Sequence, residues 1–178
     1  MGVEFKCGVE VGEDITIAQL REQGYKAFYI AIGAQGGRMT GVPGEDAVGV
    51  ETGVDFLRRV NLNEEGVKLS GKTVVIGGGN VAVDVARTAL RTGSSDVSMF
   101  CLESRDIMPA ADDEVAEAEE EGIVVNNSWG PKEILTENGK VTAVVFKKCI
   151  SVLDENKRFS PKYLSLIHIS EPTRLRRI

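Results

Sequence analysis

Apolar and polar positions recur along most of this chain with the periods of regular structure. VEFKCGVEV, residues 3 to 11, alternates as a half-buried strand does. Thr16 and Gln19 have the spacing of a capping box, which predicts a short helix ended by Gly24. KAFYIAIGA, residues 26 to 34, is an almost unbroken apolar run and predicts a buried strand. Its exit is crowded with Gly33, Gly36, Gly37, Gly41 and Gly44 around Pro43, which predicts sharp turns and an interdomain crossing. Val54, Leu57 and Val60 then recur at helical spacing within Glu51 to Val60, and a polar loop runs through Ser70.

The pattern is clearest from Lys72. KTVVI predicts a strand, GGGN a turn, and the following helix places Val81, Ala82, Val85, Ala86, Ala89 and Leu90 on one face before Gly93 closes it. DVSMFC, residues 96 to 101, is the next strand. Strand, turn, helix and strand in this order form a βαβ unit, whose crossover is right-handed in a parallel sheet. Pro109 predicts the start of an acidic helix, DDEVAEAEEE, closed by Gly122 and solvated along its charged face. IVVNNS suggests a further strand, and EILTENGKVTAVVFKK a hairpin turning at Asn138-Gly139, where both positions tolerate positive φ. The fold class is therefore α/β: a Rossmann-like parallel sheet with a β-hairpin or meander.

Composition narrows the function. The chain has 178 residues, enough for one core or for a small domain plus part of a neighbour. With 42% hydrophobic and 27% charged residues it is globular rather than disordered. A net charge of −6 and the lack of a basic stripe argue against a general nucleic-acid or anionic-membrane binder. No apolar run is long enough to span a bilayer and no secretory signal opens the chain, so the expected location is cytoplasmic. Cys7, Cys101 and Cys149 form no CxxC pair, so no zinc or iron-sulfur site is expected within this segment.

The end of the chain departs from everything before it. LSLIHISEPTR resembles a translated transposase-type sequencing adapter, which sets residues 164 to 178 aside as a non-native tail. Removing Arg174, Arg176, Arg177 and Glu171 from 21 basic and 27 acidic side chains leaves 18 and 26. The only histidine, His168, goes with the tail. Histidine general acids, Ser-His or Cys-His pairs and His-metal sites are thereby excluded from residues 1 to 163. No side chain there is a convincing catalyst; Asp84 reads as a helix packing or electrostatic residue. The chemistry must belong to a cofactor.

Gly77-Gly78-Gly79-Asn80-Val81-Ala82 matches GxGxxA between a strand and a helix. Gly77 permits the tight turn, Gly79 lets main chain approach a diphosphate, and Ala82 lets the helix pack closely on the strand. The helix dipole and its free amides then face the phosphates. A P-loop would need Lys-Ser or Lys-Thr after the glycines, and a methyltransferase would want glycine where Val81 stands. Glu103, followed by Ser104 and Arg105, comes after the second strand, and the loop Thr92 to Ser95 absorbs its extra distance from Gly77. A carboxylate there binds both adenosine ribose hydroxyls and repels a 2′-phosphate, which favours NAD over NADP. Arg105 and the alanine at position 82 pull toward NADP.

With these residues stand YKAFYIAIGA, GVPGED, GVDFLRRVN, VVIGGGNVAVDVARTALR, SRDIMPA and SPKY, in that order. Together they resemble the small (beta) subunit of glutamate synthase and related FAD- and NAD(P)-dependent oxidoreductases of the pyridine-nucleotide disulfide reductase type. The resemblance runs from about Gly2 to Tyr163. It implies an NAD(P) domain inserted into an FAD domain: residues 1–44 as flavin-domain flank and crossover, 45–163 as the nicotinamide-cofactor domain. It places Ile32, Gly33 and Ala34 near FAD, and Gly77 to Ala82 at NAD(P). Hydride would pass from NAD(P)H to FAD, and electrons onward to an iron-sulfur domain or partner subunit. Many relatives carry two arginines where this chain has Leu102 and Glu103. The family's first flavin-binding glycine turn does not occur in the 178 residues, so the chain alone is expected to be inactive. The alternative from another class is a non-catalytic dinucleotide-binding module that senses redox state or tethers a partner.

Overall fold

A computed structural model describes residues 2–62 and 66–164. The adapter-like tail from residue 165 and part of the polar loop, 63–65, lie outside the described residues. The chain forms two compact units, residues 1–35 and 36–178.

In the first unit the capping box forms as its spacing requires. The Thr16 hydroxyl accepts the Gln19 amide at 3.2 Å, the Gln19 side chain accepts the Thr16 amide at 2.8 Å, and α1 (Ile17–Glu22) follows. The two expected strands do not form. Residues 3 to 11 contribute only an isolated bridge from Val11 to Ile15, and 26 to 34 are in no strand, with Tyr29 94% and Ile30 79% exposed. The apolar run specifies burial but carries no partner: a strand needs a neighbour for its amides and carbonyls, and none pairs with it among the described residues.

The second unit begins with residues 36–44, where the Pro43 carbonyl accepts the Ile134 amide at 2.8 Å. Helix α2 (Gly53–Asn61) starts at Thr52, whose hydroxyl accepts the Asp55 amide. β1 (Lys72–Ile76), α3 (Asn80–Arg91) and β2 (Asp96–Phe100) make the predicted βαβ unit, with Lys72 opposite Asp96 and Ile76 opposite Phe100 in parallel register. Helix α4 (Asp112–Glu120) crosses to β3 (Val124–Asn126), giving the order β1-β2-β3. β4 (Trp129–Glu137), β5 (Lys140–Leu153) and β6 (Phe159–Tyr163) form an antiparallel meander. The α/β class, with its parallel sheet and meander, is as expected. The hairpin turns at Asn138 and Gly139 with φ of 53° and 73°, the left-handed pair that such a turn requires.

The core lies between the parallel sheet and its helices: Val75, Val97 and Met99 from the strands meet Phe56, Val83, Ala86, Ala89, Val115 and Ala118. Of the expected face of α3, Val85, Ala86 and Ala89 are buried and Ala82 and Leu90 pack against the core; Val83 joins it and Val81 does not. Val83 is 1% exposed and Val81 is 53% exposed. Val83 stands three residues before Ala86 and six before Ala89, so it shares their buried side, while Val81 looks outward near the helix entrance. Helix α4 begins at Asp112, as the acidic run predicts, and Ala110 and Ala111 before it are held by bonds to the glycine turn described below. Arg87 reaches Glu121 at 2.7 Å and Glu117 at 2.9 Å, and Arg91 reaches Glu121 at 2.6 Å, so charges lock α3 to the end of α4. Phe100 stacks on Phe146 with centroids 3.9 Å apart and joins the two sheets.

Candidate functional site

β1 ends at Ile76 and α3 starts at Asn80, so three glycines span the gap between them. Gly77 has φ +151, a region that side chains rarely adopt, and a Cβ there would lie 3.1 Å from the Ala82 Cβ. Small residues at both positions let the helix start close against the strand. Gly78 is buried, its carbonyl accepting the Ala110 amide at 3.0 Å. A Cβ on Gly78 would lie 2.9 Å from Glu103 Oε2 and 3.0 Å from the Cys101 Cβ. Gly79 caps α3 with extended backbone and no side-chain cap, and nothing lies within 4 Å of where its Cβ would be.

The amides decide what such a turn can hold. Gly77 donates to the Phe100 carbonyl at 2.9 Å, and Ala82 and Val83 donate back to the Gly79 carbonyl at 2.9 and 3.3 Å. The amides of Gly78, Gly79, Asn80 and Val81 have no acceptor among the described residues. Unpaired donors at a helix N-terminus, beside a glycine that leaves open space, suit an anion. Asn80 contributes its side chain differently: its Oδ1 accepts the Ala111 amide at 2.9 Å. Val81, half exposed, borders the opening.

Glu103 follows β2 and its carboxylate reaches the glycine turn, while its carbonyl accepts the Ser128 amide at 2.8 Å. Ser104 caps a short 3-10 turn, Arg105–Ile107. Arg105 pairs with Glu119 through two bonds of 3.1 and 3.2 Å, so its guanidinium already has a carboxylate partner. Burial pushes the Cys101 thiol up, and the nearby Glu103 charge adds to that. Burial also raises Cys149. Both thiols are thus held away from the thiolate form that nucleophilic chemistry requires. Ile32, Gly33 and Ala34 belong to the first unit, where Ile32 is 75% exposed, its carbonyl accepts the Gln35 side chain at 2.9 Å, and Gly33 has φ +66.

A cavity of about 490 Å³ runs beside β1 and reaches Gly79, Val81 and Ala82. Arg38 and Thr40 line it as well, bringing a cation that sequence patterning did not single out. An arginine inside a glycine-rich crossing was the available signal. Glu45 closes the adjoining loop: burial raises its carboxyl, but donors from Thr40 and Gly41 outweigh this and hold it below its ordinary value. Among the described residues no group of three or more His, Cys, Asp or Glu side chains is placed to hold a metal. No helix among them is long and apolar enough to cross a membrane.

Residues 3–155 match the family described as pyridine nucleotide-disulphide oxidoreductase. The NADP(+)-dependent formate dehydrogenase subunit beta of Moorella thermoacetica is 41% identical over 79% of this chain and 20% of its own length. The glutamate synthase [NADPH] small chain of Halomonas elongata is 36% identical over 91% of this chain and 36% of its own. The NAD-dependent dihydropyrimidine dehydrogenase subunit PreT of Escherichia coli K12 is 34% identical over 80% and 33%. The chain therefore spans well under half the length of these curated relatives. Among solved structures, Mycobacterium tuberculosis FprA in complex with NADPH superposes with a TM-score of 0.74 at 24% identity, over 94% of this chain and 52% of that one, a likeness of fold.

Proposed function

The chain belongs to the pyridine nucleotide-disulphide oxidoreductase family, and from that premise we propose that its glycine turn holds the diphosphate of NAD(P)H in a flavoprotein oxidoreductase. The observation that carries this reading is the set of unpaired amides from Gly78 to Val81, facing open space at Gly79. Gly77 and Ala82 set the close approach of helix and strand, and Asn80 holds the following segment in place. Relatives named for NADPH and for NAD both occur, so cofactor preference rests on this chain's own residues. Glu103 lies against Gly78, where a carboxylate accepts ribose hydroxyls and opposes a 2′-phosphate. Arg105 is drawn toward Glu119. NADH is the favoured cofactor.

Gly77 to Ala82 would hold the dinucleotide and Ile32, Gly33 and Ala34 would flank FAD in the whole protein, where the nicotinamide would supply hydride to the flavin. The chain's own residues bind and orient, and burial raises both buried thiols away from the thiolate form. In the whole protein the electrons leave through an iron-sulfur domain or a partner subunit; the relatives named as subunits or small chains of larger oxidoreductases support an assembly of that kind. Calorimetric titration of the chain with NADH and NADPH tests the reading. Binding of NADH in preference supports it; binding of neither refutes the diphosphate site, and tighter NADPH refutes the role of Glu103.

A further inference from the structure

The charged side chains that line the cavity beside β1 are Arg38, Glu45, Glu51 and Lys72. All but one are already matched. Glu45 accepts the amides of Thr40 and Gly41 and the Thr40 hydroxyl. Glu51 pairs with Arg59 at 2.7 Å, and Lys72 pairs with Asp96 at 2.7 Å. Arg38 alone of the set has no hydrogen-bond or ion-pair partner among the described residues. The segment that carries it is fixed on both sides. A Cβ on Gly37 would overlap the Thr52 side chain, so the chain there lies against the N-cap of α2, while Thr40 is held by Glu45.

Gly53, next to Thr52, lies in turn against α3, since a Cβ there would stand 2.8 Å from Val85 Cγ2. Val81 precedes Val85 by four residues, so it is on the same side of α3 and about 5.4 Å nearer the helix start. Both valines line the cavity together with Arg38 and Gly79. The guanidinium thus shares its opening with the unpaired amides of Gly79 and Val81. Charge balance asks for a cation in that opening. Each phosphate of a dinucleotide is negative, a helix N-terminus offers only about half a positive charge, and Glu103 beside Gly78 adds a further negative one. We propose that Arg38 is a binding residue for the diphosphate, its guanidinium donating to phosphate oxygens and supplying the charge that the α3 amides lack. This rests on the diphosphate reading above.

The test is calorimetric binding of NADH, NADPH and ADP, at low and physiological salt, to the 178-residue chain and to Arg38→Ala, Arg38→Lys and Arg158→Ala. All three ligands carry the diphosphate, so in Arg38→Ala each is expected to weaken by about tenfold at low salt, and by less as salt rises. Arg38→Lys keeps the charge without the planar fork and recovers part of the loss. Arg158→Ala removes the same charge from a residue outside the cavity and is expected to bind as the wild type does. Unchanged NADH affinity in Arg38→Ala overturns the assignment, as does a loss for NADH that ADP does not share. A much larger loss for NADPH than for NADH moves the contact to the 2′-phosphate and overturns it too. An equal loss in Arg158→Ala shows a general charge effect and also overturns it. A wild-type chain that binds none of the three overturns the diphosphate reading itself.

Discussion

Glu103→Gln removes one charge from the edge of the glycine turn while keeping the side chain's length. In the native turn Glu103 Oε2 would stand only 2.9 Å from a Cβ on Gly78, so an adenosine ribose docked there brings its 2′ position near the carboxylate. Two unit charges about 4 Å apart interact by about 4 kcal/mol at an effective dielectric of about 20. At about 1.4 kcal/mol per decade that is almost three powers of ten in a binding constant. Glu103 is only half-buried, and physiological salt screens charges over about 8 Å, so the expected gain in NADPH affinity is about ten- to a hundredfold. NADH should weaken by about tenfold, because a charge-assisted bond to the ribose becomes a neutral one. Isothermal titration of both proteins with both cofactors, at low and physiological salt, measures the ratio of affinities. The reasoning fails if that ratio is the same in the variant as in the wild type, or if its shift does not shrink as salt rises.

Gly77→Val combines an unfavourable φ with a 3.1 Å approach to Ala82; a loss of about 1–3 kcal/mol in folding stability is expected by urea denaturation, and an unchanged midpoint would contradict the close packing. Ser94, 5% exposed, bonds through its hydroxyl to the Gly71 carbonyl at 3.0 Å and Thr73 Oγ1 at 2.9 Å. Ser94→Ala should therefore lower stability by about 1–3 kcal/mol, read as a fall in thermal midpoint. Glu121 is held below its ordinary value of 4.5 chiefly by its bond to Arg87, with Arg91 adding to it. A carboxyl lowered on folding stabilises above the unfolded value and loses that contribution as pH falls through the folded one. The stability gap between wild type and Glu121→Gln should be present near about pH 7 and close toward about pH 3, and a gap that widens on acidification would refute the ion-pair account.

Local rules carried the sequence reading where the structure is local. Thr16 and Gln19 satisfy one another three residues apart, the strand-turn-helix from Lys72 to Arg91 is contiguous, and Asn138-Gly139 turns a hairpin by itself. What escaped depends on distant partners. The run from Lys26 to Ala34 looks like a strand, yet no spacing within it names a neighbour. The tie of the Ala111 amide to Asn80, 31 residues earlier, has no local signal. The pairing of Arg105 with Glu119, 14 residues on, is announced by nothing near it in the chain. β6 hid in a polar stretch, since only alternate residues face anything. The candidate site divides the same way: its glycines were legible because backbone geometry demands them, whereas the place of Arg38 beside the cavity follows from chain segments brought together by folding.

The double tie between the 101–111 segment and the glycine turn also provides a gauge. Neither Ala110 nor Ala111 lies within a helix or a strand, yet each amide hydrogen is held, one by Gly78 and the other by Asn80. Their exchange with deuterated solvent is governed by the opening of this one junction rather than by the fraying of a helix. Two neighbouring probes would thus report the integrity of the glycine turn with no ligand bound, and would tell a variant that has lost its affinity from one that has lost its shape.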